Sequence, residues 1–444
     1  MRVLFGTDGI RGKAHAYPLD RVTMYKLGLS LVHRFLETAP APQILIGRDT
    51  RESGPEIVGA LAAGIRQGGG IPIVVGIIPT PGVAFLCRTT EAVAAISVSA
   101  SHNPFEDNGV KIFGHDGMKL ADSAEEEIED DLRAVTIEDT PELTDDASES
   151  AALIDRYEQF LVDGVAPLAL QGKKVVLDAG HGAAYRIGPD VFRRAGADVL
   201  VINNLPDGRN INENAGALHP EGLARVVTRE GADFGVAFDG DADRAIFADD
   251  AGRIRDGDEI IYLWAQRLQR EGKLKGGCVV TTVMSNFGFE AQLRHDSIEL
   301  CRAQVGDKYV LELMLDRGAI LGGEQSGHII DLAVHTTGDG IHTALVFGEL
   351  LALAGKPFSS LPTFTPMPQI LVNERVASKP PLESLPKFQA ALGEAYRHLG
   401  GEGRILVRYS GTENKVRVMV EGPDHQRIER IARGLAAGLI EEIG

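Results

Sequence analysis

A unit of strand, loop, helix and strand occurs three times along this chain. The first copy has an apolar strand at 43–47, a polar loop, a helical pattern at 55–67 and a second strand at 71–75. The other copies begin at Lys174 and at Cys278. Apolar, β-branched strands that alternate with helices are typical of parallel sheets covered by helices on both faces. The repetition therefore predicts three α/β units in tandem.

The last part of the chain has a different pattern. Short alternating strands and two amphipathic helices predict an α+β module with an antiparallel sheet. Prolines between 362 and 368 mark the linker that joins it to the rest. Its predicted strands are 369–374, 404–408 and 415–420, and its predicted helices are 385–399 and 425–442.

These patterns predict an α/β fold class: three tandem α/β/α domains with mixed, mainly parallel sheets, followed by a C-terminal α+β domain. A chain of 444 residues is too long for one hydrophobic core, which agrees with several domains. The predicted domains are 1–152, 153–253, 254–366 and 367–444.

Two acidic stretches separate the first two units. The stretch 122–131 predicts a helix with a solvated face, and 138–149 predicts a loop that leads to a helix at 151–165. The longest uncharged run, 67–87, is interrupted by prolines and glycines. We expect it to form a buried strand and a loop rather than a membrane span.

The charge balance excludes one class of partner. The chain has 45 Lys and Arg residues against 63 Asp and Glu residues, a net charge of -18. We therefore expect no nucleic-acid partner, and a bound phosphate must meet a local positive site. Cys87, Cys278 and Cys301 are widely spaced and indicate free buried thiols in a reducing compartment. With no signal-peptide pattern at the N-terminus, we expect a cytoplasmic protein without a membrane partner.

A serine-rich segment follows the apolar run 92–96. Ser97, Ser99 and Ser101 alternate, and the sequence His-Asn-Pro then stops the extended segment. Such a strand end places small hydroxyls where a parallel sheet binds its ligand. The alternative is a serine-rich loop with a proline breaker.

Three aspartates, Asp239, Asp241 and Asp243, follow the apolar strand 234–238. Two carboxylates about 4 Å apart repel by about 4 kcal/mol at an effective dielectric constant of about 20, so the cluster needs a cation. A hard divalent ion, Mg²⁺ before Ca²⁺, meets that need. An EF-hand loop is excluded because Arg244 stands where its glycine is required. A solvated acidic turn is the alternative.

Two further loops carry polar groups that suit a sugar phosphate. The segment 322–328 reads Gly-Gly-Glu-Gln-Ser-Gly-His and offers groups that can hydrogen-bond sugar hydroxyls or an amine. The segment 408–417 surrounds a Ser-Gly-Thr turn with basic side chains, which suits a phosphate. From sequence alone, both remain open to interpretation as ordinary turns. No P-loop, nucleophile elbow or zinc-binding helix motif occurs in the chain.

With these motifs in this order, the chain resembles the α-D-phosphohexomutase family over nearly its whole length. The resemblance also includes the turn-rich segment 5–12 around Arg11. It implies four domains around a central cleft, one Mg²⁺ per subunit, and a phosphoserine at Ser101 that exchanges its phosphoryl group with a sugar phosphate through a bisphosphate. A homodimer is compatible with the resemblance. The implied catalytic residues are Ser101, His102, Lys111, Arg11, Arg244 and His328; the metal ligands are Ser101, Asp239, Asp241 and Asp243; the substrate-binding residues are Glu324, Gln325, Ser326, Arg408, Ser410, Gly411, Thr412 and Arg417.

Within the family, Gln325 resembles the members that act on glucosamine phosphates and supply UDP-N-acetylglucosamine synthesis. Tyr409, the pair Asn414–Lys415 and His335 depart from the residues that are usual in those members. Two alternatives stay open: an enzyme of the same fold that acts on glucose or mannose phosphates, and a phosphosugar sensor without activity. An intact donor serine and three aspartates favour an enzyme over a sensor.

Overall fold

The structure is a computed structural model that describes residues 4–6, 8–36, 38–137, 150–410 and 414–443. Within these ranges the chain forms two compact units. The first unit takes residues from 1–282 and 301–362, and the second takes residues from 283–300 and 363–444.

The N-terminal part of the first unit is built on a five-stranded sheet. Its elements are β1 (Ile10–Lys13), α1 (Arg21–Phe35), β2 (Gln43–Arg48), α2 (Gly54–Gln67), β3 (Ile71–Ile77), α3 (Thr80–Thr89), β4 (Ala94–Val98), β5 (Asp107–Gly114) and α4 (Asp122–Ala134). The strand order is β1-β5-β4-β2-β3, parallel around β2 and antiparallel from β4 to β1. Leu31, Ile46, Leu61 and Ile96 lie in one buried apolar cluster between this sheet and its helices.

A second sheet repeats this connectivity in four of its five strands, and its fifth, edge strand comes last in the chain rather than first. Its part of the chain contains α5 (Ala151–Asp163), β6 (Lys174–Asp178), α6 (Ala184–Arg194), β7 (Asp198–Ile202), α7 (Glu221–Glu230), β8 (Phe234–Phe238), β9 (Ala245–Asp249) and β10 (Ile254–Arg255). The strand order is β10-β9-β8-β6-β7, again parallel around β6 and antiparallel from β8 to β10.

A third sheet has the same central arrangement as the first two, a parallel pair of strands followed by an antiparallel neighbour. The elements here are α8 (Gly257–Arg270), β11 (Cys278–Thr282), α9 (Phe287–His295), β12 (Glu299–Ala303), α10 (Asp307–Arg317), β13 (Leu321–Gly323), β14 (Ile329–Asp331) and α11 (Gly340–Ala354). In the order β12-β11-β13-β14, β13 is parallel to β11 and antiparallel to β14. The prediction of three related units with mixed sheets is confirmed, and the connectivity relates them more closely than their residues do.

The second unit contains an antiparallel sheet, as the alternating C-terminal pattern predicts. Its C-terminal elements are β15 (Gln369–Arg375), α12 (Pro386–Leu399), β16 (Arg404–Tyr409), β17 (Lys415–Glu421) and α13 (His425–Ile443). The strand order is β15-β17-β16, and the helix α9 belongs to the same unit. Asn286 ties α9 to the linker, because its side chain both donates to and accepts from the main chain of Met367, at 3.1 and 2.9 Å. The four domain boundaries stay our proposal.

Two expectations from the sequence need correction. The acidic helix α4 is not simply solvated: Glu125 and Glu129 are buried, and Glu129 accepts hydrogen bonds from the main-chain N–H groups of Leu4 and Phe5. These N–H groups would otherwise be buried without an acceptor, which is costly. The run 67–87 contains a strand and then the helix α3 rather than a loop, because Pro81 lies in the first turn, where a helix needs no N–H group. The predicted acidic loop, 138–149, lies entirely outside the described residues.

No helix in the described ranges is long enough and apolar enough to cross a bilayer.

The helices α1 and α2 of the first unit cross each other at glycine residues. A Cβ atom added at Gly64 of α2 would lie 2.0 Å from the carbonyl oxygen of Tyr25 in α1, and one added at Gly28 of α1 would lie 2.3 Å from that of Leu61. Main-chain atoms cannot move aside as a flexible side chain can, so the two helices depend on these glycines to approach each other.

We expect Gly64→Ala to destabilise the first unit by about 1–3 kcal/mol, because the added methyl group overpacks the crossing. Thermal unfolding followed by circular dichroism measures the change. Gly222→Ala in α7 is the matched control, because only the tip of Arg225, at 3.9 Å, lies near the added atom. Equal melting temperatures for both variants would contradict the argument.

Candidate active site

Three polar loops occupy equivalent positions in the three repeated sheets. In each sheet the loop leaves a parallel strand and enters its antiparallel neighbour: β4 to β5, β8 to β9 and β13 to β14. The loops carry Ser101, the aspartate cluster and the segment 324–328, respectively. The sequence singles out all three loops, but only the topology shows that they are the same loop of a repeated unit.

The serine loop lies directly against the aspartate loop. Ser101 is buried, and its Oγ donates a hydrogen bond to Oδ2 of Asp239 at 2.6 Å. A Cβ atom added at Gly240 would lie 2.5 Å from the Ser101 carbonyl oxygen, so the close approach requires glycine there. Asn212 donates to the same carbonyl oxygen at 2.9 Å. The Ser101 hydroxyl therefore faces the aspartate loop.

A fully buried arginine holds the shape of the serine loop. Arg51 donates to the carbonyl oxygens of Ser101 at 2.9 Å, Asn103 at 2.8 Å and Asp107 at 3.0 Å, and also to that of Pro104. Asp49 balances its charge through a 2.8 Å contact with Nε. Ser101 has a φ of 52°, a strained value for serine, and the arginine contacts stabilise the loop that contains it.

The hydroxyls of the other two serines have protein partners. Ser99 donates to Asp49 at 2.6 Å and accepts from the main-chain N–H of Ser101 at 2.9 Å. Ser97 shares a 2.7 Å hydrogen bond with Thr80. Of the three alternating serines, Ser101 is therefore the one whose hydroxyl faces the acidic cluster.

The three aspartates fit a divalent cation. One side-chain oxygen from each of Asp239, Asp241 and Asp243 lies within 4.8 Å of the others, and all three residues are buried. Oδ1 of Asp241 and Oδ1 of Asp243 are buried without a hydrogen-bond partner. Burial and the other two carboxylates raise the pKa of Asp239 well above its usual value. A hard cation with oxygen ligands would remove both the unpartnered atoms and the repulsion.

The second oxygen of Asp241 is held by protein donors. Its Oδ2 accepts from Oγ1 of Thr80 at 2.7 Å and from Nζ of Lys111 at 3.0 Å. Lys111 also contacts Oδ2 of Asp243 at 3.2 Å. Burial disfavours the Lys111 ammonium, but Asp241, Asp8 and Asp243 hold its pKa well above the usual value. The free oxygens of the two aspartates are thus oriented by Thr80 of α3 and Lys111 of β5.

Arg11 and His102 lie beside Ser101, and Nε of Arg244 lies 3.8 Å from Oδ1 of Asp243. Arg11 donates to the carbonyl oxygen of Ala100 at 3.3 Å, and the Nε atoms of Arg11 and Arg244 are buried without a hydrogen-bond partner. Nδ1 of His102 lies 3.3 Å from the Ser101 hydroxyl. Burial, together with Arg244 and Arg11, lowers the pKa of His102 to about 4, so the imidazole is neutral at pH 7.

A cavity of 140 Å³ adjoins the aspartates. Glu324 and His328 line it, as the sequence predicts, with Arg244 beside them. Glu324 accepts from the main-chain N–H of Gly306 at 3.3 Å, and Nδ1 of His328 lies 3.6 Å from Asp243. Gln325 and Ser326 do not line this cavity, although they belong to the same loop.

Sequence reasoning missed four residues around the site: Thr80, Lys119, Asp307 and, in its clamping role, Arg51. Lys119 bridges Asp8 at 2.5 Å and Asp307 at 2.6 Å, so it joins the N-terminal segment to α10. The position of Thr80 just beyond the carboxyl end of β3 could have indicated it, because ligands bind at that edge of a parallel sheet. Lys119 and Asp307 have no local signal of this kind.

The proposed phosphate-binding residues of the second unit lie on one sheet. Arg408 of β16 and Arg417 of β17 are direct cross-strand neighbours. Burial and the nearby Arg417 both lower the pKa of Arg408. Ser410 follows β16 and is buried, whereas Gly411 and Thr412 lie outside the described residues. Two adjacent guanidinium groups provide the local positive charge that an anion needs in this acidic protein.

Four family models match the chain. They are described as the α/β/α domains I, II and III and the C-terminal domain of phosphoglucomutase/phosphomannomutase, and they match residues 2–138, 154–252, 256–365 and 371–438. A curated phosphoglucosamine mutase from Solibacter usitatus (strain Ellin6076) is 46% identical over 445 residues, which covers 99% of both chains. The chain belongs to the phosphoglucosamine mutase group of the α-D-phosphohexomutases.

Solved structures agree on the fold of this phosphohexomutase. A phosphoglucomutase/phosphomannomutase family protein from Burkholderia thailandensis has a TM-score of 0.80 and 23% identity, over 99% of this chain and 98% of that one. An N-acetylphosphoglucosamine mutase from Aspergillus fumigatus, solved in complex with GlcNAc-6P and magnesium, has a TM-score of 0.66 and 18% identity. The match covers 100% of this chain and 96% of the Aspergillus fumigatus chain. The family makes the chain an enzyme, an intramolecular phosphotransferase.

We expect Thr80→Val to weaken binding of a divalent cation by roughly tenfold to a hundredfold, because Asp241 would lose a hydrogen bond that orients it. Titration with Mn²⁺, followed by electron paramagnetic resonance, measures the affinity without relying on turnover. Thr80→Ser is the control, because it keeps the hydroxyl and should bind Mn²⁺ nearly as the parent does. Unchanged affinity in the valine variant would show that Thr80 does not orient the ligand.

Proposed function

We propose that this phosphohexomutase interconverts glucosamine 6-phosphate and glucosamine 1-phosphate through a phosphoserine at Ser101 and a sugar bisphosphate. The observation that carries the proposal is the buried Ser101 hydroxyl, 2.6 Å from Asp239 in a cluster of three carboxylates. Full-length curated relatives named phosphoglucosamine mutase, which are 41% to 46% identical to this chain, support the choice of sugar.

The reaction consists of two phosphoryl transfers. In the first, the bond between phosphorus and Ser101 Oγ breaks and a bond from phosphorus to the free sugar hydroxyl forms; the sugar hydroxyl loses a proton and Ser101 Oγ gains one. The bisphosphate then turns over in the site. In the second, the bond between phosphorus and the sugar oxygen at the other end breaks, the phosphoryl group bonds to Ser101 Oγ, and the proton passes from Ser101 Oγ to that sugar oxygen. Transfer of this kind depends on positioning and charge stabilisation. Lys111 and His328 are the residues that we propose for proton transfer, since each lies against the carboxylates beside Ser101.

We propose Mg²⁺ as the cation, held by Asp239, Asp241, Asp243 and the phosphorylated Ser101. When bound, it neutralises negative charge on the transferring phosphoryl group. We propose that Arg11 and Arg244, whose Nε atoms are buried without a hydrogen-bond partner, donate to that same group. The magnesium in the Aspergillus fumigatus relative agrees with this choice.

Glu324 and Ser326 are proposed to bind sugar hydroxyls, and the Arg408 to Arg417 region is proposed to bind the phosphate that does not react. The latter assignment rests on the paired guanidinium groups of β16 and β17. It gives the second unit a role in substrate binding but none in the chemical step.

We expect active protein to carry a single phosphate on Ser101, because of these three serines it is the one whose hydroxyl contacts the aspartate cluster, whereas Ser97 bonds to Thr80 and Ser99 to Asp49. Phosphate monoesters hydrolyse extremely slowly in water, so the modified serine persists until a sugar arrives. Intact-mass measurement and peptide mapping locate the phosphate. Ser101→Ala should lose both the added mass and turnover, whereas Ser359→Ala, on the surface of the first unit, should lose neither.

Retained turnover in Ser101→Ala, in protein free of host mutase, would refute the phosphoserine mechanism. The same coupled assay compares glucosamine phosphate with glucose and mannose phosphates. A higher kcat/KM for either neutral sugar would replace our choice of substrate with the alternative of a phosphoglucomutase or phosphomannomutase.

We expect Arg417→Ala to raise KM for the sugar phosphate by roughly tenfold to a hundredfold, because a charge-assisted hydrogen bond to phosphate contributes about 1.5–3 kcal/mol. Initial rates over a range of substrate concentrations give KM and kcat separately. Arg433→Ala is the control: this arginine is on α13, pairs with Glu429 and has a side chain that is 70% exposed. An unchanged KM for Arg417→Ala would place the phosphate elsewhere.

A further inference from the structure

Gln325, in the middle of the proposed sugar-binding loop, has a protein partner. Its Nε2 donates a hydrogen bond to Oδ2 of Asp256 at 2.9 Å. Its main-chain oxygen accepts from the N–H of Gly257 at 3.0 Å. Both the side chain and the main chain of Gln325 are therefore bound to the N-terminus of α8.

The carboxylate of Asp256 accepts hydrogen bonds from both α8 and the loop that contains Gln325. It is the N-cap residue of α8, where Oδ1 accepts from the main-chain N–H of Glu259 at 3.2 Å, while Oδ2 accepts from Gln325. The N-terminus of a helix favours a negative charge, so this carboxylate is well placed as a fixed acceptor. The glutamine amide is thus bound to a rigid part of the fold.

The main chain of the rest of the loop packs closely against two other segments. A Cβ atom added at Gly257 would lie 2.1 Å from the carbonyl oxygen of Glu324, so the loop is packed on the first turn of α8. On the other side, the N–H of Ala245 donates to the carbonyl oxygen of Gly327 at 3.0 Å. Ala245 directly follows Arg244, so the loop spans from α8 to the strand that leaves the aspartate cluster.

Glu324 and His328 project into the 140 Å³ cavity from the two ends of this loop. Gln325 does not line that cavity, and its amide faces Asp256. A residue that reads the amino group of the substrate would have to present its polar atoms to the cavity.

We propose that Gln325 is a positioning residue: its bond to Asp256 fixes the loop so that Glu324 and His328 face the substrate, and it does not read the sugar's amino group. The inference rests on the proposed function, because it assigns a role within that reaction. Under this proposal, Gln325 is the residue that marks the glucosamine group in the sequence, but other atoms recognise the amine of the substrate.

The pair can be tested by exchanging its donor and acceptor. Gln325→Glu places a second carboxylate against Asp256 and removes the hydrogen bond, so we expect kcat/KM to fall by roughly tenfold or more. Asp256→Asn keeps a good N-cap, and its amide can donate to a glutamate at 325. We therefore expect the double variant Asp256→Asn, Gln325→Glu to recover to within about threefold of the parent, a coupling that independent sites do not show.

The substrate comparison distinguishes positioning from reading. With a positioning role, Gln325→Glu lowers kcat/KM for glucosamine phosphate and glucose phosphate by the same factor. A ratio of the two substrates that changes by about tenfold or more, or a double variant that recovers nothing, would overturn the proposal. Gln325→Leu, which keeps the size of the side chain and removes its amide, should behave like Gln325→Glu but should not be rescued by Asp256→Asn.

Two controls keep the result interpretable. Mass measurement of the phosphate on Ser101 and the melting temperature of each variant show whether the protein is folded and modified. If Gln325→Glu does not fold, Gln325→Leu supplies the substrate ratio by itself. The parent enzyme is assayed first with glucosamine, glucose and mannose phosphates: failure on glucosamine phosphate contradicts the proposed function, whereas the exchange experiment is still decided on whichever sugar the parent turns over.

Discussion

Charge repulsion among three buried carboxylates is the constraint around which this structure is arranged. Asp239, Asp241 and Asp243 place their oxygens within 4.8 Å of one another, where each pair repels by about 4 kcal/mol at an effective dielectric constant of about 20. Burial and the other two carboxylates raise the pKa of Asp239 well above its usual value. Asp243 differs: burial raises its pKa, but the Lys111 ammonium, His328 and Arg244 outweigh burial and leave that pKa well below its usual value. The cluster is therefore held ready for a cation that completes the compensation.

The repeated topology brings that cluster to its substrate-facing partners. Each of the first three sheets has a parallel centre and an antiparallel edge, and each places its polar loop at the same point of the connectivity. The proposed nucleophile, the proposed metal ligands and the proposed sugar-binding residues thus occupy one structural position in three repeated sheets. Glycines at the contacts, such as Gly240 beside Ser101 and Gly327 beside Ala245, let the main chains of these loops approach each other. A site assembled from repeated loops can change one loop, and with it the sugar, without changing the phosphoryl chemistry.

The sequence was most informative where one element contains the whole signal. The strand 174–178 and the helix 55–67 agree closely with β6 and α2, because apolar periodicity follows directly from burial on one face or two. It was less informative where a distant group changes the environment of a residue. Glu129 reads as a solvated acid on a charged helix, yet it is buried against the N-terminal segment. Gln325 reads as part of a ligand loop, yet its amide is bound to Asp256.

Local sequence by itself indicated the repeated α/β units, the antiparallel C-terminal sheet and the segments that carry Ser101 and the three aspartates, whereas the choice of Ser101 as the proposed donor came from the family resemblance. Each of these depends on residues that are close along the chain. Tertiary structure decided which groups surround them: Lys111 and Asp241 are 130 residues apart, Thr80 and Asp241 are 161 apart, and Lys119 and Asp307 are 188 apart. Spacing along the chain carries no information about such pairs, because they meet only when strand order and loop packing have placed separate sheets edge to edge. Residues that are close along the chain thus supply the reactive groups, and the fold sets the orientation of their atoms.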